Sequence, residues 1–234
     1  CKKRAVSFKF NTYAERSDVI ALDPEVVVVA TGGIPNIELF ETVGDPENVS
    51  SAWDLISGDV KPAEHILIYD ESGDHPGLQA AEIAANSGSK VEVMTPDRIV
   101  SPEVMAMNLV PYMRALQNKD VTFTVARRLL AVVQKGNKLR AEIGTDYSSL
   151  KTFSEYDQIV VNYGTLPVDE LYFQLKPFSQ NLGAVDYEAL ILGKTQTLSQ
   201  NTSGKFQLFR IGDAVSARNT HAAIYDALRF MKDV

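Results

Sequence analysis

The sequence is poor in the residues that build disulfides and metal clusters. Its 234 residues include one cysteine, Cys1, and three histidines. A lone cysteine forms no intrachain disulfide or cysteine cluster, and His65, His75 and His221 lack metal-ligand spacing. A chain of this kind suits a reducing compartment. The sequence therefore predicts a cytoplasmic protein with no metal site in this region.

Long apolar runs and an excess of positive charge are also lacking. No apolar stretch reaches the roughly 18 residues that a membrane-spanning helix needs. The formal net charge is −7 and the pI is about 5.0, so the chain repels nucleic acid and anionic lipid. We expect neither as a partner. The N-terminal residues resemble a strand entered midway and contain no apolar signal core, so we expect a fragment of a longer protein.

Runs of strand length alternate with a helical pattern over the first half of the chain. Residues 25–33 (EVVVVATGG) form a β-branched run that ends in glycines, which is typical of a parallel strand covered by helices on both faces. Residues 65–69 and 90–95 predict two more strands, and an Ala-rich helix at 78–88 lies between them. Such a βαβ unit has parallel strands and a right-handed crossover. The pattern predicts an α/β fold.

The remaining elements are shorter. Three β segments predict a small antiparallel meander: 121–125, 129–134 and 138–144. Residues 158–165 (QIVVNYGT) again predict a buried strand that runs into glycine. Residues 6–10 alternate like a half-buried strand, whereas residues 168–204 have no clear pattern. Ser101, Pro102 and Glu103 are favoured at helix starts, so we expect a helix from there towards residue 117.

Two glycine turns each follow a strand, and each has a functional and a structural interpretation. Ligands of an open parallel sheet bind beyond the carboxyl ends of its strands, and glycine lets the backbone approach them closely. Amides of the second turn can hold a phosphate, and the carboxylate of Asp213 can accept from a hydroxyl. The structural alternatives are a tight turn and a helix cap. The candidate cofactor-binding residues are Thr31, Gly32, Gly33, Gly212, Asp213 and Ala214.

The order of these motifs resembles that of flavoproteins with two dinucleotide domains. In that group, ATG closes the first part of an FAD domain, GDA opens its last part, and an NAD(P)H domain is inserted between them. The segments at 121–144 resemble the meander of the inserted domain, and NYGT (162–165) resembles its closing turn. Over the whole chain, the best match is the C-terminal region of the trimethylamine dehydrogenase and 2,4-dienoyl-CoA reductase family, old-yellow-enzyme-like NADH:flavin oxidoreductases.

The resemblance implies a fold and a division into domains. It implies a Rossmann-like nucleotide-binding domain with a small antiparallel meander, at 62–184, inserted in an incomplete FAD- or ADP-binding domain formed by 1–61 and 185–234. The FMN barrel, a 4Fe-4S cluster and the opening G-x-G-x-x-G of the FAD domain are expected upstream of residue 1. Because the residues that oxidise substrate are expected there, we assign no catalytic residue to this chain.

The loop at 69–77 (YDESGDHPG) departs from the phosphate-binding pattern of the family. A working G-x-G-x-x-G uses its glycines for the turn, for approach to the pyrophosphate and for helix packing. If Gly77 is the third glycine, the first two positions are Ser72 and Asp74. The loop argues against NAD(P)H. It resembles the trimethylamine dehydrogenase branch, whose electrons pass to an electron-transfer flavoprotein.

Three hypotheses follow. The first is a flavin-dependent demethylase or dehydrogenase of an N-methylated amine or amino acid, in which this region binds ADP or FAD and supports electron transfer or assembly. The second is an NAD(P)H-dependent ene-reductase of the dienoyl-CoA reductase type, and the third is a non-catalytic nucleotide-binding scaffold. The implied partners are the upstream FMN barrel and an electron-transfer flavoprotein. An incomplete FAD domain leaves a strand edge open, which predicts a homo-oligomer.

Overall fold

The structure is a computed structural model that describes residues 6–37, 41–43, 46 and 48–231, so Cys1 lies outside it. Within these residues the helices are α1 (Arg16–Ala21), α2 (Ala52–Ser57), α3 (His75–Asn86), α4 (Ala106–Gln117), α5 (Glu170–Leu175), α6 (Tyr187–Leu192) and α7 (Thr220–Phe230). The strands are β1 (Val26–Val29), β2 (Gly33–Pro35), β3 (Glu41–Val43), β4 (Val49–Ser51), β5 (His65–Asp70), β6 (Lys90–Met94), β7 (Thr122–Thr124), β8 (Arg128–Lys135), β9 (Lys138–Thr145), β10 (Ser148–Tyr156), β11 (Gln158–Asn162), β12 (Thr165–Pro167) and β13 (Gln207–Arg210).

The chain divides into two compact units. One contains residues up to 34 and from 165 onward, and the other is Pro35–Gly164. The boundaries at 61/62 and 184/185 were predicted to separate an inserted nucleotide-binding domain from an FAD- or ADP-binding domain. That division stays a prediction. Within the described residues, no helix is both long and apolar enough to cross a bilayer.

The unit Pro35–Gly164 contains a five-stranded parallel sheet in the order β4-β11-β5-β6-β7. Its two faces are covered differently. Ile66, Ile68 and Val160 face a core formed with the buried side chains of α2, α3 and α4. Leu67 and Tyr69 face the opposite core, which β8, β9 and β10 complete. The alternation follows from the two-residue period of a strand, and it explains why β5 is apolar on both sides.

The antiparallel meander is present, but its members differ from those predicted. Strands β8, β9 and β10 form it, and β3 pairs with β8 in parallel. The segment predicted at 121–125 is wrong as a meander strand, because β7 is an edge of the parallel sheet. Strand β10 was not predicted. Most of its side chains are exposed and only Tyr156 is buried, so no apolar alternation marks it.

Two further predictions from the sequence are wrong. Residues 6–10 form no strand; Phe8 and Phe10 are exposed and stack on each other with ring centroids 5.5 Å apart. The fourth helix begins at Ala106, after a 3₁₀ turn at Pro102–Val104, and not at Ser101. The hydroxyl of Ser101 makes no cap, because it donates to the buried carboxylate of Asp70.

The other unit is built around the parallel pair β1 and β13. Val29 and Leu208 pack on one side with Leu175 of α5. On the other side, Phe209 contacts Phe230 of α7, with ring centroids 5.2 Å apart. Helices therefore cover both faces of this small sheet, as the 25–33 pattern predicts. The unpatterned stretch 168–204 contains α5 and α6. The predicted α/β class, with a parallel sheet and a small antiparallel meander, is confirmed.

Candidate functional site

The two glycine turns lie at the carboxyl ends of neighbouring parallel strands. Val29 at the end of β1 is paired with Arg210 at the end of β13, and the amide of Ile211 donates to the carbonyl of Val29 at 3.0 Å. The turns begin within two residues of these ends. The fold therefore brings Thr31 and Gly32 to the same edge as Gly212 and its two followers, which is where ligands of parallel sheets bind.

The first turn is tied to β12 and to Val168, the residue that follows it. The hydroxyl of Thr31 donates to the carbonyl of Val168, and the amide of Val168 donates to the carbonyl of Gly32 at 3.0 Å. A Cβ on Gly33 would lie 2.9 Å from the carbonyl oxygen of Leu166, so this glycine permits close strand packing. Gly32 has φ +75° and open space at its Cβ position, so it is the residue of this turn that a ligand can approach.

The second turn is a 3₁₀ turn at Gly212–Ala214 with an internal anion. The amide of Gly212 donates to Asp226 Oδ2 of α7 at 3.0 Å, and the guanidinium of Arg218 pairs with the same carboxylate. The carbonyl of buried Ala214 accepts from Arg210 Nη1 at 3.3 Å. Asp226 therefore already lies where the Gly212 amide would meet a phosphate. Nothing in the sequence distinguishes Asp226 from an ordinary solvated helix acid.

The carboxylate of Asp213 is the polar group of this turn that suits a sugar hydroxyl. It is half-buried, and its Oδ1 accepts from the amide of Arg218 at 3.2 Å. A carboxylate has acceptor sites beyond one such bond. Thr165 of β12 lies against Gly33 of β2. Among the described residues, its buried hydroxyl has no hydrogen-bond partner. The free acceptor sites of this turn therefore suit a hydroxyl group better than the Gly212 amide suits a phosphate.

Arg210 was not predicted, although it holds the second turn in place. Its guanidinium pairs with Asp169 and lies over the ring of Tyr172, 4.7 Å from the centroid. It thereby joins β13 to the start of α5. An arginine at the end of a strand gives no sequence signal for this role, since its partners lie about 40 residues away.

The loop after β5 forms a second cluster, in the other unit, around Asp70. The Asp70 side chain is 1% exposed. Its Oδ1 accepts from the amide of Gly73 at 3.0 Å and from Nδ2 of Asn162 at 2.9 Å, and its Oδ2 accepts from the hydroxyl of Ser101 at 3.3 Å. Burial raises the pKa of this carboxyl to about 6, and the hydrogen bonds oppose that rise.

Four backbone amides of this loop already have acceptors within the chain, those of Glu71, Ser72, Gly73 and His75. The amides of Glu71 and Ser72 both donate to the carbonyl of Asn162, at 3.0 and 3.1 Å. The amide of His75 donates to Asp74 Oδ1 at 2.7 Å, so Asp74 caps α3. A dinucleotide loop needs such amides for its pyrophosphate. Here they bind protein atoms.

An ion-pair network joins the same loop to the meander. Arg128 of β8 pairs with Glu71 at 2.6 Å and with Asp146 at 2.8 Å. The hydroxyl of Tyr69 donates to Glu71 Oε2 at 3.1 Å, and burial and Glu71 both raise the pKa of Tyr69. The acids of the loop are therefore held by partners of the same unit. Among the described residues, no group of three or more His, Cys, Asp or Glu side chains could hold a metal ion.

Two curated proteins are similar to the chain over nearly its whole length. A protein named "Probable N-methylproline demethylase", from Rhizobium meliloti, is 58% identical over 234 residues, which are 100% of this chain and 34% of that protein. An "N,N-dimethylglycine/sarcosine dehydrogenase" from Chromohalobacter salexigens is 37% identical over 97% of this chain and 34% of its own length. The predicted resemblance is confirmed. The chain spans about a third of the length of these relatives, and no family model matches it.

Two solved structures share the fold of the chain. A 2-naphthoyl-CoA reductase complex matches with a TM-score of 0.73 and 22% identity. The match covers 100% of this chain and 30% of the reductase chain. Histamine dehydrogenase from Rhizobium sp. 4-9 has a TM-score of 0.72 and 18% identity, with 94% and 32% covered. At these identities the likeness concerns the fold, and it extends over both units.

Proposed function

We propose that this chain is the C-terminal nucleotide-binding region of a cytoplasmic, flavin-dependent oxidoreductase that demethylates or dehydrogenates an N-methylated amine or amino acid. The observation that carries the proposal is the 58% identity, over the whole chain, to a protein named as an N-methylproline demethylase. The FMN barrel and 4Fe-4S cluster belong to the part of the protein outside this chain. An electron-transfer flavoprotein is the proposed acceptor, and the protein is proposed to be a homo-oligomer.

The proposed role of the chain itself is to hold ADP or FAD beside the two glycine turns. Asp213 accepts a hydrogen bond from a sugar hydroxyl, and Gly32 leaves room for the ligand next to the backbone. Thr31, Gly33, Gly212 and Ala214 keep the two turns in position through their contacts with β12, α7 and Arg210. When bound, a flavin would supply redox chemistry, and the residues of this chain would bind and orient it.

The proposal excludes NAD(P)H as the electron donor at the loop after β5. The support is the set of loop amides that already donate to Asn162, Asp70 and Asp74. An NAD(P)H-dependent ene-reductase would need those amides for the cofactor.

Substrate oxidation by the full-length protein tests the proposed function. We expect N-methylproline, N,N-dimethylglycine or sarcosine to reduce an electron-accepting dye, with water converting the oxidised N-methyl group to formaldehyde and the demethylated amine. The measurement is dye bleaching together with formaldehyde release. Bleaching by NADH or NADPH, with none of these amines active, would contradict the proposal and favour the ene-reductase.

A substitution at Asp213 tests the proposed nucleotide site. We expect D213A in the full-length protein to bind ADP or FAD with roughly 10- to 100-fold lower affinity, because a hydrogen bond to a charged group contributes about 1.5–3 kcal/mol. The measurement is chromatography of the nucleotide released by acid from purified protein. E188A is the matched control, since Glu188 is an exposed acid of the same unit. Equal nucleotide content in both variants would place the site elsewhere.

A further inference from the structure

The carboxylate of Asp70 has surroundings like those of a bound anion. Three donors from three separate segments converge on it: the Gly73 amide, the Asn162 side chain and the Ser101 hydroxyl. A Cβ on Gly77, in the first turn of α3, would lie 2.7 Å from Asp70 Oδ2. The carboxylate therefore lies against the N-terminal turn of a 12-residue helix, where the helix dipole favours negative charge.

This position is where a βαβ unit of the dinucleotide type binds a phosphate. Such a phosphate lies between the end of the strand and the start of the next helix, on the loop amides. Here the strand is β5, the helix is α3, and Gly73 has φ +69°, which turns its amide towards the carboxylate. The chain thus places a carboxylate of its own against the loop that carries a ligand's phosphate in such a unit.

We propose that Asp70 is a built-in substitute for the cofactor diphosphate, which completes the loop after β5 and blocks it to added dinucleotides. The inference deepens the proposed exclusion of NAD(P)H. What it says about the choice of cofactor rests on that proposed function. Its structural part, that the three donors of the loop require an acceptor at this point, stands independently of any activity.

The segment Ser101–Met105 closes the loop from outside. The amide of Glu103 donates to the carbonyl of Gly73 at 3.0 Å, and a Cβ on Gly73 would lie 2.8 Å from Pro102 Cδ. Ser101 and Met105 both have positive φ, 46° and 63°. Non-glycine residues keep such angles only when their surroundings fix them. The contacts with Asp70 and Gly73 are among those that fix this segment. The Asp70 carboxylate and the segment Ser101–Met105 therefore hold each other in place.

Rescue of an Asp70 variant by formate tests the proposal. In the full-length protein, D70A removes the carboxylate and leaves its three donors unpaired. We expect faster amide hydrogen exchange in the peptide that spans 70–77, and we expect added sodium formate to restore protection in a saturable manner. Sodium chloride at the same ionic strength should not. If D70A does not fold in chloride, the same comparison is made by refolding it in formate and in chloride.

Two controls separate occupancy of the anion position from general effects of the salt. D74A removes the neighbouring acid that caps α3, and its exchange should not respond to formate, because that side chain is only half-buried and leaves no enclosed space. D70N keeps the volume filled and should also be insensitive. An equal response of D70A to formate and chloride, or a formate response of D74A as large as that of D70A, would overturn the proposal.

Titration with NADH distinguishes failure of this inference from failure of the proposed function. We expect NADH to bind neither wild type nor D70N by fluorescence titration. NADH binding to wild type would overturn both the inference and the exclusion of NAD(P)H. Failure of formate rescue, with wild type still unable to bind NADH, would overturn only the role of Asp70.

Discussion

Replacement of Gly73 by alanine is expected to lower the free energy of unfolding by about 3 kcal/mol. Gly73 has φ +69°, which costs a residue with a Cβ about 1–2 kcal/mol. The added methyl group would also lie 2.8 Å from Pro102 Cδ, and overpacking of this kind costs about 1–3 kcal/mol. The measurement is urea denaturation of the full-length protein, monitored through hydrogen exchange of this unit.

Gly88 provides a matched control for that substitution. It also has a positive φ, +92°, but no described atom outside its chain neighbours lies within 4 Å of its Cβ position. We therefore expect G88A to lose only about 1–2 kcal/mol, the backbone part of the effect. If the two alanine variants lost the same stability, a clash between the added methyl group at position 73 and Pro102 would contribute nothing to the loss.

The stability of the unit Pro35–Gly164 is expected to depend on pH through Asp70. Its pKa is about 6 in the folded state against an ordinary 3.8, so between these values the folded state binds more protons than the unfolded state. The free energy of unfolding therefore falls as the pH rises from about 4 to about 6. The difference between the two pKa values corresponds to about 3 kcal/mol of stability. This stability is present below the pKa of the unfolded state and is lost above the pKa of the folded state.

The D70N variant isolates this contribution from the other acids of the chain. Asparagine does not titrate, so the stability difference between wild type and D70N should change by about 3 kcal/mol across that pH range. Chemical denaturation at a series of pH values measures it. A difference that stayed constant from pH 4 to pH 7 would show that the Asp70 carboxyl has an ordinary affinity for its proton.

The parallel sheet could be predicted from the sequence because burial on two faces requires continuous apolar runs. The five residues of β11 are all buried, and its run into glycine was identified. Strand β10 could not be predicted in the same way, since it pairs with β9 while its side chains remain largely exposed. Ser101 was misassigned for a different reason. A serine favoured as a helix cap also serves as a donor to a buried acid, and only the tertiary structure selects between these roles.

The candidate sites were predictable to a similar, partial degree. The pattern of strands ending in glycine gives the two turns, and parallel pairing brings them to one sheet edge. The carboxylates that occupy the turn amides could not be assigned. Asp226 lies on a helix 14 residues beyond Gly212, and Asp70 has the sequence context of any acid after a strand. Their roles depend on burial and donor geometry, which local patterns do not contain.

The pairing of β1 with β13 has a consequence for synthesis of the chain on the ribosome. Val26 and its partner Gln207 are roughly 180 residues apart, so this contact has a high contact order. At about 5–20 residues per second, β1 waits on the order of 10–40 s for its partner strand. Pro35–Gly164 is complete before then and can fold first. During that interval a β-branched strand has an open edge, which exposes the nascent chain to pairing with other chains until β13 is made.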